Sequence, residues 1–295
     1  MTKTVLVTGA SGFIGSHLAR ALADEGYDVR AMTRHPGRYD GSGTPVRGDV
    51  FDQDSLGEAL DGTDAAYYLV HSLDSDDFEE KDAEAARTFA AAAADAGLER
   101  IVYLGGLGDD DGELSPHLRS RRAVERILRE GPVPVTALRA AVVIGDGGIS
   151  WEITRQLVDR LPALLTPRWV RTRTQPIALP DVIRYLVGVL EPVEARGKVY
   201  EIGGPEVLRY IDMLTRAAKV QGDHLANVTV PLLTPRLSSS WLVLVTDVDF
   251  TTARNLVDSL STEVVVRDHS IEDVVPGPTI GYDEAVRLAL RDHAA

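Results

Sequence analysis

The sequence predicts an α/β protein built on a doubly wound parallel sheet, with a smaller lobe on its C-terminal side. Three observations predict it. Residues 8–15 read TGASGFIG, between an apolar strand and a helix near the N-terminus. Strand-like and helix-like runs then alternate through the first half of the chain, the rhythm of βαβ units. After Gly145 that rhythm breaks into a helix, a proline-rich basic stretch and mixed segments.

The first strand is Thr4–Val7, and the helix after it runs from about Phe13 to Glu25-Gly26, where glycine suits a helix C-terminus. A second strand covers Asp28–Thr33, and a short third surrounds Pro45-Val46-Arg47. A helix over 54–60 has Asp52 or Asp54 as its N-cap. Residues 65–70 read as strand four, and the alanine-rich run 81–96 is a helix by propensity, closed by Gly97. Strand five at 100–104, a helix at 120–129 and strand six at 135–141 follow. Further helices are expected at 150–161, 181–190, 210–220 and 282–290, with a strand at 198–202 and a β-rich run at 263–267. The proline-rich 162–176 and the mixed 231–260 lie between them. The sheet domain is expected to span 1–147 with a returning segment at about 176–204. The lobe takes 148–175 and 205–295 and caps the carboxyl ends of the strands, where such sheets bind ligands.

With 295 residues and 44% apolar content, the chain can bury the core of one large α/β domain plus a lobe. It has no run of about 20 apolar residues, so no integral membrane segment is expected. The apolar Leu242-Val243-Leu244-Val245 is short and neighbours Asp247 and Asp249. The first strand begins too early to leave room for a signal peptide, which points to a cytoplasmic location. There is no cysteine, which excludes disulfides, thiolate catalysis and Cys-based metal sites. No His/carboxylate grouping has metal-ligand spacing, so no metal is expected. The net charge of −14 argues against nucleic acid or an anionic membrane as partner. Arginine far outnumbers lysine, which occurs only at Lys3, Lys81, Lys198 and Lys219. Aspartate clusters such as Asp74-Ser75-Asp76-Asp77 and Asp109-Asp110-Asp111 fall in expected loops. This composition fits a halophile's solvated acidic surface; an ordinary acidic bacterial protein is the alternative.

The glycine loop carries the chemistry. Gly9 turns the chain sharply out of the strand, Gly12 lets backbone approach a diphosphate, and Gly15 lets the helix pack close to the sheet. The free N–H groups and positive dipole end of the helix then face the phosphates. Thr8, Ser11, Phe13 and Ile14 complete this predicted cofactor-binding loop. NAD sites usually place an acid at the end of strand two. Here the strand runs into Thr33-Arg34 and no acid follows. Arg34, helped by Arg38, stands where a guanidinium would meet a 2′-phosphate, so NADP(H) is favoured over NAD(H); a surface arginine serving the acidic shell is the alternative. Asp49 is placed to accept from an adenine amino group with Val50 against the ring, or else to start the next helix. Val70, His71 and Ser72, at the end of strand four, should line the pyrophosphate and ribose.

The motifs TGASGFIGSHL, GDV, RIVYLGG and LRAAVVIG occur here in one order. In this the chain resembles the atypical or extended short-chain dehydrogenase/reductases, Rossmann-fold proteins that include sugar-nucleotide epimerases and NmrA-like proteins. It also resembles the accessory NADPH-binding subunit of respiratory complex I. Further matches are Arg168 to Arg173, Gln175-Pro176-Ile177, Asp181-Val182 and Val199-Tyr200-Glu201-Ile202-Gly203-Gly204. The resemblance covers nearly the whole chain and is unspecific for substrate. It implies a Ser, a Tyr and a Lys for acid–base catalysis beside the cofactor. This sequence departs from that pattern. Strand five ends Tyr103-Leu104-Gly105-Gly106, with glycine at the Ser position and Gly106 beside the substrate. The Tyr and Lys positions hold His117 and Arg121. Arg121 can bond a ribose but cannot relay protons. His117 can act as a general acid near neutral pH, or simply sit at the start of its helix. Tyr67, Tyr68 and Tyr103 read as sheet core.

On the substrate side, Trp151 and Trp169 flank the lobe, and either line an apolar cleft or pack its core. Arg168, Arg171 and Arg173 form a basic island that suits an anionic substrate group, with salt bridges to nearby acids equally open. The first functional reading is an oxidoreductase reducing a carbonyl or activated double bond of a small, partly apolar, possibly anionic molecule. The second is a non-catalytic NADP(H) module, either a redox sensor or an assembly subunit. Sugar-nucleotide epimerisation is weaker, because the Tyr is absent. Monomer and homodimer both remain open.

Overall fold

The computed structural model describes residues 2–72, 75, 77–109, 114–160, 163–166, 168–222, 226–229, 246 and 259–294. Its centre is a seven-stranded parallel sheet in the order β11-β6-β5-β4-β1-β2-β3. These strands are β1 (Thr4–Val7), β2 (Asp28–Thr33), β3 (Thr44–Arg47), β4 (Ala65–Tyr68), β5 (Arg100–Gly106), β6 (Val135–Ala140) and β11 (Val199–Ile202). The order reverses between β1 and β4, which opens a crevice at their carboxyl ends.

Helices cover both faces of the sheet. On one face, α1 (Phe13–Asp24) and α6 (Leu179–Gly188) bury Leu18, Leu22, Val182 and Leu186 against Val5, Val7 and Leu138. On the other, α2 (Gln53–Leu60), α3 (Phe78–Asp95) and α4 (Pro116–Glu130) bury Leu56, Phe89, Val124 and Leu128 against Leu6, Tyr68 and Tyr103. Strands covered on both faces read as continuous apolar runs, which is why VLV and IVYL signalled them. Each large side chain buried here contributes about 2 kcal/mol. Asp52 caps α2 by accepting from the Asp54 and Ser55 amides, as its position suggested.

Past β6 the chain forms a lobe core from α5 (Ile149–Arg160), α7 (Tyr210–Gln221) and a C-terminal helix, α9 (Tyr282–His293), with Trp151, Met213, Leu214 and Val286 inside. Short pairs β7 (Val143–Ile144) with β10 (Ile177–Ala178), β8 (Ala163–Thr166) with β13 (Ala226–Thr229), and β9 (Arg173–Thr174) with β12 (Leu208–Arg209) stitch the connections. A helical turn, α8 (Ile271–Val274), packs near β11.

Then the chain returns to the sheet. Arg100, 3% exposed, donates to the carbonyls of Val189 at 2.6 Å, Leu190 at 2.5 Å and Pro192 at 3.0 Å. That guanidinium satisfies backbone oxygens that α6 leaves without helical partners.

Several elements differ from the sequence expectation. Helix α3 begins at Phe78 rather than 81, and α4 begins at Pro116 rather than 120, where Ser115 caps it. Strand β5 continues through Gly106. Residues 263–267 form no strand; Val264 makes only an isolated bridge to Thr174. Most of 231–260 lies outside the described residues.

Candidate cofactor and substrate site

The crevice between β1 and β4 is a cavity of ≈ 270 Å³. Gly9, Gly12 and Gly15 form one side, Leu69 and His71 another, and Gly105, Gly106, His117 and Arg121 the far end. Gly148, Ile149 and Ser150 close it from the lobe.

The loop's geometry explains its glycines. Gly9 has φ +63°, a left-handed conformation that side chains resist. A Cβ on Gly15 would lie 2.2 Å from the Gly9 carbonyl oxygen, so the first turn of α1 packs directly on the loop backbone. Helix α1 starts with Gly12 as an N-cap that offers no side-chain hydrogen bond, and its first turn carries no acid. Its leading N–H groups are therefore available to an anion, which is the fit a dinucleotide diphosphate needs. Thr8 is fully buried; its hydroxyl accepts from the Leu69 amide at 2.9 Å and fastens the loop to β4. Ser11 is exposed. Phe13 and Ile14 line the cavity, and Gly148 gives the Phe13 ring room, since a Cβ there would sit 2.8 Å from it.

At the adenine end, Arg34 and Arg38 are exposed, and neither has an ion pair among the described residues. The Asp49 side chain accepts from the Phe51 amide at 3.0 Å. Val50 is buried in the core beneath α2. Val70 is partly buried and packs against the same core. The Ser72 amide donates to Asp82 at 2.8 Å.

The far end is the electrostatic centre. Arg121, 7% exposed, pairs with Asp82 at 2.5 Å. Burial opposes the Arg121 charge, but Tyr103, Asp82 and Tyr68 outweigh it and hold its pKa above the usual arginine value. The Tyr103 hydroxyl donates to the Arg121 carbonyl at 3.0 Å. His117 is pushed down to about 3, first by burial, then by the Arg121 charge and by His71. Its Nδ1 and the Arg121 Nε are buried without a hydrogen-bond partner among the described residues. Burial and the Arg121 charge therefore favour the neutral imidazole at His117, the residue expected as a general acid. Tyr67, Tyr68 and Tyr103 are core residues, and burial raises all three pKa values, Tyr103 to about 12.

The substrate-side expectations fare unevenly. Gly106 lines the cavity. Trp151 does not: it is fully buried in the lobe core, because α5 turns that face toward α7. Arg173 spends its guanidinium on a two-pronged bond to Glu263 at 2.8 and 2.9 Å, the salt-bridge alternative. Arg171 is exposed, and the side chains of Arg168 and Trp169 lie outside the described residues. Asp146, Glu152 and His293 come within 4.8 Å of one another from three elements, a grouping that linear spacing could not show. His293 bonds Asp146 at 2.8 Å, and Glu152 bonds Arg155 at 2.7 Å. Among the described residues no helix is long and apolar enough to cross a membrane.

Comparison with known proteins agrees with this geometry. Residues 9–160 match the NAD(P)H-binding family. A (4-alkanoyl-5-oxo-2,5-dihydrofuran-3-yl)methyl phosphate reductase of Streptomyces griseus is 30% identical over 230 residues, 74% of each chain. The mitochondrial NADH dehydrogenase [ubiquinone] 1 alpha subcomplex subunit 9 of Dictyostelium discoideum is 25% identical over 219 residues, 70% of this chain and 61% of that one. Among solved structures, the Citrobacter sp. triphenylmethane reductase complexed with NADP(H) superposes with a TM-score of 0.79 over 97% of this chain and 99% of that one, at 17% identity. With its glycine loop at the switch point of a seven-stranded parallel sheet, the chain belongs to the NAD(P)H-binding family.

Proposed function

We propose that the protein is an NADP(H)-dependent reductase acting on a carbonyl or activated double bond of a small, partly apolar substrate with an anionic group. One observation carries this reading: a single cavity runs from the uncapped start of α1 to His117 and Arg121. Arg34 and Arg38, exposed at the exit of β2, support a 2′-phosphate contact. By its name, the Streptomyces relative reduces a phosphate-bearing dihydrofuranone, which supports an anionic substrate group. The lobe, 148–175 and 205–295, takes the substrate, with Ile149 and Ser150 at the cavity.

The bound cofactor supplies the hydride. Arg121 anchors the ribose through donors that Asp82 leaves free. Neutral His117 donates a hydrogen bond to the oxygen on which negative charge develops and steadies it, and the proton that completes the reduced product is taken up from water. Gly106 leaves space where a side chain would crowd Leu118, 2.7 Å from a Cβ there.

The test is a parallel titration with NADPH and NADH in high salt, which shields the acidic surface. Arg34→Ala is expected to weaken NADPH by about 1–3 kcal/mol and leave NADH unchanged. Equal losses for both cofactors would remove the phosphate assignment. A substrate screen follows NADPH consumption, and His117→Gln should slow turnover.

The second reading is a non-catalytic NADP(H) holder. It is favoured by Arg121, locked in a buried ion pair, and by His117, whose burial disfavours the charged imidazolium. Tight NADPH binding with no turnover across the screen would select it.

A further inference from the structure

Asp82 is 2% exposed and lies on the first turns of α3, away from every motif that marks the site. Both its oxygens are used. Oδ2 accepts from Arg121 Nη2 at 2.5 Å and from the Ser120 hydroxyl at 2.8 Å, while Oδ1 accepts from the Ser72 amide at 2.8 Å. One carboxylate therefore joins three elements: α3, which carries it, α4, which carries Arg121 and Ser120, and the segment leaving β4 at Ser72. Two of these, the β4 exit at His71 and α4 at His117 and Arg121, line the cavity.

A long arginine side chain loses much rotamer freedom when it must hold one geometry. Asp82 has already imposed that loss on Arg121. It occupies Nη2 and leaves Nε, buried and unpartnered among the described residues, in the side chain that lines the cavity. The charge is also balanced on site, so the buried guanidinium is not left uncompensated.

We propose that Asp82 is a positioning residue for the cofactor: it presets Arg121 and draws the β4 exit toward it, so that both walls meet the ribose already arranged. This rests on the dinucleotide reading above.

The experiment is a fluorescence titration with NADPH of wild type, Asp82→Asn, Arg121→Gln and the double variant, each checked by thermal melting. The paired amides of the double variant leave no buried charge unmatched, so it stays measurable if a single variant unfolds. Asp82→Asn is expected to weaken NADPH at least tenfold, and Arg121→Gln by a similar factor. The double variant should be no weaker than Arg121→Gln alone, because Asp82 acts only through Arg121. A purely structural role would instead multiply the two losses, and that result overturns the proposal. Wild-type affinity in Asp82→Asn also overturns it while leaving the dinucleotide reading intact. Failure of wild type to bind NADPH overturns both.

Discussion

Two of the helices that begin at the cavity do so in opposite ways. Helix α1 starts at Gly12 with no side-chain cap, no acid in its first turn and bare N–H groups. Helix α4 starts at Ser115, whose hydroxyl accepts from the Leu118 amide at 3.3 Å, with Pro116 at its first position. Both present a positive dipole end to the same space. Of the two, α1 has no side-chain cap on its leading donors, so the fold gives the anion to α1 and uses α4 to place His117 and Arg121. A missing cap, normally a defect worth about 1 kcal/mol, here marks the binding end.

The comparison can be broken most severely at Gly15. Gly15→Val should cost about 3 kcal/mol or more, because its Cβ meets the Gly9 carbonyl oxygen at 2.2 Å and α1 must shift. A urea midpoint near that of wild type would show that the close approach is not needed. A sharper test writes a cap onto α1. Gly12 has φ −84° and ψ 173°, which any residue adopts, but a Cβ there meets the Gly9 carbonyl oxygen at 3.1 Å, so Gly12→Asp should fold and gain at most about 0.3 kcal/mol. Its carboxylate should also displace the diphosphate and weaken NADPH by about 3 kcal/mol. Retained stability with loss of binding is the signature; unchanged NADPH affinity would put the phosphates elsewhere.

His117 gives α4 a pH dependence that α1 lacks. Its folded pKa of about 3 lies below the ordinary 6.5, so the unfolded chain takes the proton first as pH falls. The stability it contributes is complete above about pH 6.5 and is lost toward pH 3, at up to about 1.4 kcal/mol per pH unit. Melting curves of His117→Gln should show a shallower acid limb than wild type; parallel limbs would contradict the burial of that ring. The smallest effect belongs to Ser115→Ala, expected to cost about 1 kcal/mol in denaturant while NADPH affinity stays within about twofold.

The same contrast explains what could be read from the chain. The α1 end is local: strand, glycine spacing and the start of the helix follow one another between Thr4 and Gly15, and the structure places them as expected. The α4 end was partly visible, since Ser115-Pro116 is a helix-start signature, yet the start was placed at 120. Its charge state was not visible, because it depends on burial and on Asp82, 39 residues from Arg121 in sequence. Trp151 shows the same limit: its apolar helical spacing fits cleft or core equally, and only the packing of α5 on α7 decides. Arg173 met Glu263 across 90 residues, a pairing no local pattern records.

Arg100 and β11 carry a consequence for synthesis. The sheet's last strand and the carbonyls that Arg100 holds arrive only after the chain has laid down α5 and the β8–β10 region. On the ribosome, β6 therefore emerges as a raw edge and waits, with a cationic side chain unmatched beside it. A fragment ended at residue 160, where the family match stops, would keep that edge for good and should self-associate rather than fold. Domain borders drawn along the polypeptide and those drawn by hydrogen bonds are two different maps of this protein.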